Sequence, residues 1–285
     1  MIKFFNFFDK GFLAIIILKV DVNIQINLEK MNKKIKIAFL IPITSKGRDW
    51  KRVEETYFNQ IFIRSLIGTI NSKFNYKIYL VIDNDDIIFL KENFKNFKVL
   101  NLLFGISITK IINHSIEKGH LTKLWNIAFK RAYDDGCDYF YQCGDDIQFI
   151  SPNWIDESII KLSQNNQIGL TGPLDLWRLN LNKDHKPGGE RFLQTQSFVS
   201  RKHMDIFGYF FPEEIRNWYC DDWITKVYYP DHFYQLKHYV INKGGKPRYE
   251  ISGTMEKNDP VKVKCRELIN QGKDHLDNFI NSNIF

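Results

Sequence analysis

Cysteine is scarce in this chain. The four present in 285 residues, Cys137, Cys143, Cys220 and Cys265, form no Cys-x-x-Cys pair and no dense framework. That argues against a zinc site and against a disulfide-stapled fold. A reduced chain with incidental thiols follows, and with it a cytoplasmic setting. Long apolar runs are missing as well. Phe12–Leu18 is strongly apolar, but Lys19 cuts it off well short of the ~20 residues that a membrane-spanning helix needs. Lys3 and Lys10 precede this run, yet no small-residue cleavage site follows it convincingly. A stable membrane span is therefore not expected, although a signal or anchor reading stays open. No internal repeat is present. No basic stripe stands out either, because the lysines are spread through the chain with abundant Asn and Ile, so a nucleic-acid partner is not expected.

What is present describes an ordinary globular protein. Hydrophobic residues make up 44% and charged residues 26%, enough for a real core. The net charge of +7 favours anionic ligands such as nucleotides, though it carries little weight here. Residues 1–34, ahead of the first strand, are assigned to an extension outside the fold. Residues 35–150 and 151–259 form two halves of one large domain, and residues 260–285 a C-terminal helix.

The chain is organised around Asp138-Tyr-Phe-Tyr-Gln-Cys-Gly-Asp-Asp-Ile147. Tyr139–Cys143 has the composition and length of a strand. Gly144 lets the backbone turn, which leaves Asp145 and Asp146 at the strand's carboxyl end. Adjacent carboxylates repel one another, and a divalent cation with a taste for oxygen ligands relieves that repulsion. A solvated Asp-Asp turn is the competing reading.

Around this stretch, strands and helices alternate. Lys36–Thr44 and Lys77–Asp83 read as buried parallel strands, each ending in a polar loop. Arg48 lies in the first loop. Asp83 and Asp85 follow the second strand, where such sheets bind a ribose or a base, against helix capping by Asp85 or Asp86. A helix is expected over Trp50–Ile70, a strand over Lys98–Phe104, and a poor helix over Ile106–Gly119. Leu121–Tyr133 is a clear amphipathic helix carrying Lys123 and Asn126. Further on come a helix to about Ser163, strands at Ile168–Leu176 and Phe192–Ser200, and a polar loop at 180–190 suited to a lid or to acceptor binding. Asp221-Asp222 opens another helix, where a favourable helix dipole is the structural alternative to a catalytic role.

Taken together these segments resemble the GT-A glycosyltransferases, particularly their family-2-like members. The resemblance covers roughly residues 35–240. It rests on the opening strand and polar loop, Val81-Ile-Asp83-Asn-Asp85, Lys123-Leu-Trp-Asn126, Gly144-Asp145-Asp146, and Gly208-Tyr-Phe-Phe followed by Asp221-Asp222-Trp223. It implies an α/β Rossmann-like fold with a central, mostly parallel sheet flanked by helices. It also implies transfer of a sugar from a nucleotide-diphosphate donor, a UDP-sugar by preference, to a hydroxyl of a glycan, protein or small molecule. Donor binding is expected from Asp83, Asp85, Lys123, Asn126 and Arg48. Mn²⁺ or Mg²⁺ is expected at Asp146 and Asp145 with His238, ahead of His232 and His275, as a third ligand. Asp222 or Asp221 is expected to act as general base in an inverting reaction. Gly144 occupies the position of the family's first metal aspartate, which keeps open a degenerate domain that binds nucleotide or glycan without turnover. A second resemblance, to the Gly-Asp-Asp hairpin of RNA-dependent polymerases, requires a far larger chain and is set aside.

Overall fold

The computed structural model describes residues 34–92, 94, 97–181, 192–244, 248–254, 256 and 258–282. All of the proposed extension (residues 1–34) except Lys34, and most of the 180–190 loop, lie outside the described residues. Strand β1 (Lys36–Ile43) is apolar without interruption because both of its faces are covered. Phe39 and Ile41 pack on one side with Phe58, Phe62, Phe149 and Trp154. Ala38 and Leu40 pack on the other with Phe129, Phe140 and Trp223.

The remaining strands are β2 (Asn75–Asp83), β3 (Ile106–Asn113), β4 (Tyr139–Gln142), β5 (Ile147–Phe149), β6 (Leu170–Asp175), β7 (Ser197–Ser200) and β8 (Phe233–Asn242). They form one sheet in the order β3-β2-β1-β4-β7-β6-β8-β5. β3, β2, β1 and β4 run parallel, as do β6 and β8. β7 runs antiparallel between β4 and β6, and β5 pairs antiparallel with β8. The helices used below are α1 (Arg64–Thr69), α2 (Ile87–Lys91), α3 (Phe97–Phe104), α4 (Leu121–Asp134), α5 (Trp154–Ser163), α6 (Leu176–Leu181), α7 (Lys202–Phe207), α8 (Cys220–Tyr228) and α9 (Pro260–Ser282). Among the described residues no helix is long and apolar enough to cross a membrane.

Three elements depart from the sequence reading. The expected strand at Lys98–Phe104 is helix α3, since Phe97, Leu100 and Phe104 bury at helical rather than alternating spacing. The expected poor helix at Ile106–Gly119 contains β3, whose β-branched run pairs with β2 at the sheet edge. The single helix expected over Trp50–Ile70 is broken into a 3₁₀ turn at Val53–Glu55, a π-helical stretch at Phe58–Ile63 and α1.

Candidate active site

The chain passes from β1 through β2 to β3 on one side, then returns to place β4 on the other side of β1. The carboxyl ends of β1, β2 and β4 therefore flank a topological switch point, where open α/β sheets bind their ligands. A cleft of about 420 Å³ lies there, lined by Thr44 after β1, Asp83 ending β2, and Cys143, Gly144 and Asp146 after β4. Asp221 at the start of α8 lines the same cleft, as do Arg48 and Arg248.

The two carboxylates after β4 differ sharply. Asp145 is fully buried, and its carboxylate accepts two hydrogen bonds from the Arg248 guanidinium, one of them at 3.0 Å. Arg248 also donates to the Thr44 carbonyl at 2.8 Å. Asp145 thus spends its charge on an ion pair, and it does not line the cleft. Asp146 does line it and has no ion-pair partner among the described residues. Burial and the neighbouring Asp145 push its carboxyl up to about 6, with Arg248 opposing them. Gly244 packs against this carboxylate so closely that a side chain there would run into it.

Asp83, which also lines the cleft, is buried and accepts from Asn113 Nδ2 at 3.1 Å and from the Tyr249 hydroxyl. Gly119 admits the Tyr249 ring, since a Cβ at 119 would stand 2.9 Å from that of Tyr249. Asp85 is surface-exposed between Lys118 and Lys46, 2.5 Å from each, and these cations hold its carboxyl at about 2. Helix capping falls to Asp86, which accepts from Phe89 N at 3.1 Å and also holds Ser45 in the first loop. Arg48 lies 5.5 Å from the Tyr57 ring centre.

The second acidic pair also divides. Asp221 accepts from Arg178 Nη1 at 3.1 Å, and burial raises its carboxyl above the ordinary value while Arg178 opposes the rise. Asp222 pairs with Lys226 one turn along α8 at 2.7 Å and does not line the cleft.

The other residues expected in the site are engaged elsewhere. Lys123 lies 3.5 Å from Glu213. Asn126 accepts from the backbone N–H of Phe210 and of Phe211, both at 3.0 Å, and donates to the Phe211 carbonyl, which pins the Phe210–Phe211 turn to α4. His238 lies 2.5 Å from Glu157 of α5. His232 is 3.4 Å from the Tyr234 hydroxyl, and His275 is exposed on α9. None of these lines the cleft. Among the described residues no group of three His, Cys, Asp or Glu is arranged to hold a metal. Arg248, Tyr249, Arg178 and Trp218 were missed by the sequence reading. Nothing local showed that Arg248 and Tyr249 fold back onto the carboxylates after β4 and at the end of β2.

The strand order and the acidic carboxyl edge of the sheet define a GT-A-type, Rossmann-like α/β fold. Among solved structures, the chain is similar to S. aureus TarS. The TarS 1–349 fragment in complex with UDP matches at a TM-score of 0.52 and 14% identity, covering 84% of this chain and 65% of that one. The same fragment with UDP-GlcNAc matches at 0.50 and 14%, covering 76% and 62%. A longer TarS chain also matches at 0.50 and 14%, over 72% of this chain and only 36% of its own length. At this identity the likeness is one of fold. No protein-family model matches the chain, and no curated protein matches it.

Proposed function

We propose that the protein is a glycosyltransferase that moves a sugar from a nucleotide-diphosphate donor, a UDP-sugar, to an acceptor hydroxyl with inversion. One observation carries this reading: Asp146 and Asp221, from separate segments of the chain, line a single cleft together with Asp83. Asp83 would take a ribose hydroxyl or base edge, as acidic residues at this position of such sheets do. Arg48 brings positive charge to the same cleft, which Arg248 also lines while paired with Asp145. Asp221 would accept the proton of the attacking hydroxyl, because a base opposite the leaving group has to come from a segment other than the one holding the diphosphate. Its raised carboxyl suits that task.

Asp146 fits a divalent cation shared with the donor. Its charge is crowded by Asp145 and unpaired among the described residues, and Mg²⁺ is commonly held by one or two carboxylates plus substrate phosphates. Mn²⁺ or Mg²⁺ held there would neutralise the departing diphosphate as a Lewis acid. Four buried free thiols accord with a reducing, cytoplasmic setting.

The second reading is a domain that binds nucleotide or glycan without turnover. The commitment of Asp145 to Arg248 favours it. Release of UDP from a panel of UDP-sugars, with Mn²⁺ and then with EDTA, separates the two. Metal-dependent release that Asp146→Asn reduces at least ~100-fold, a loss of about 2.7 kcal/mol of transition-state stabilisation, is the expected result. UDP binding with no release under any condition would leave the binding module.

A further inference from the structure

We propose that the acceptor is a saccharide and that Trp218 is the platform on which its ring stacks; this deepens the glycosyl-transfer reading and rests on it. Trp218 lines the cleft three residues before Asp221 and remains 36% exposed. Part of the indole is therefore open to water on the cleft wall, where a ligand can meet it. The exposure does not come from a loose loop. The Asn217 side chain donates to the carbonyls of Gly119 at 3.2 Å and Glu250 at 3.1 Å, and it accepts from the N–H of Trp218 at 2.7 Å and of Ser252 at 3.0 Å. Tyr219, next in the chain, is held in the left-handed region at φ 70, where a side chain of this size is strained. That strain sits directly between the exposed ring and the proposed base, as it does at many functional sites.

The rest of this wall is polar. Thr195 and Gln196 line the cleft with Asn217. The Gln196 amide oxygen accepts from Thr195 Oγ1 at 2.8 Å, which leaves its amide hydrogens to face a ligand. One aromatic face beside hydroxyl and amide groups is complementary to a pyranose. The sugar's C–H face meets the electron-rich ring, and its equatorial hydroxyls meet the polar groups. A ring stacked on Trp218 would bring a hydroxyl towards Asp221 on the same turn of chain.

Saturation-transfer NMR with methyl glucoside, methyl galactoside and methyl N-acetylglucosaminide tests this on the full chain, with and without saturating UDP. The expected result is that at least one pyranoside binds the wild type and still binds with UDP present. Trp218→Ala weakens that binding at least tenfold, Trp218→Phe restores it to within about threefold, and thermal melts show both variants folded. Three results would overturn the proposal: no pyranoside bound, binding unchanged in Trp218→Ala, or displacement of the sugar by UDP. A separate titration of UDP into the wild type tests the parent reading. If UDP does not bind while a pyranoside does, that reading fails and the assignment of the sugar as acceptor fails with it.

Discussion

Asp145 and Asp146 are neighbours in the chain, yet only one faces the cleft. Asp145 is fully buried and depends on Arg248, so removing the guanidinium leaves a carboxylate in the interior without a partner. Arg248→Ala should therefore destabilise the fold by about 3–5 kcal/mol, read as a fall in thermal or urea stability. Adding Asp145→Asn should recover part of that loss, because the orphan is then uncharged; a full-strength loss in the double variant would mean that packing, not charge, is at stake. Asp221 leads to a prediction in pH. Its carboxyl is raised by burial and a base acts when ionised, so kcat/KM should climb with pH through a value above the ordinary carboxylate range. Arg178 opposes the rise, so Arg178→Ala should move that limb to still higher pH. An unmoved limb in this variant would remove Asp221 as the base.

At the scale of elements, α4 was legible from its amphipathic spacing, and the role of Asn126 was not. Its amide serves two backbone N–H groups and one carbonyl, so it acts as a clamp between α4 and the turn before α8. Asn126→Ala would strand those groups at a cost of about 3 kcal/mol, since each unsatisfied buried group costs ~1–3 kcal/mol. Melting should drop by roughly 6–12 °C. UDP affinity should stay within about twofold, and a selective loss of UDP binding at normal stability would return Asn126 to the donor site. The exchange of helix and strand between 97 and 113 has a similar origin. Both segments are apolar, and only the pairing of Ile106–Asn113 with β2 decided which became the edge strand.

At the scale of the whole molecule, the switch point beside β1 gathers the ends of three strands with α8 around one cleft. If a nucleotide occupies it, UDP at about 100 times its Kd should raise stability by ~2.7 kcal/mol. A melting temperature unchanged by millimolar UDP, with or without Mn²⁺, would count against the proposed donor.

By itself the sequence determined the alternation of strands and helices and the placing of carboxylates just past strand ends. Periodicity and turn residues are local, and each strand of a covered sheet writes its own burial into an apolar run. Only the tertiary structure decided which member of each acidic pair faces the cleft. Asp145 is claimed by an arginine 103 positions away, and Asp83 is met by a tyrosine 166 positions away. Asp222 is drawn to Lys226 on its own helix, while Asp221 is left at the cleft. Neighbouring side chains diverge where a strand ends or a helix begins, so a one-residue difference in direction sends one carboxylate into the core or along the helix and the other to the cleft.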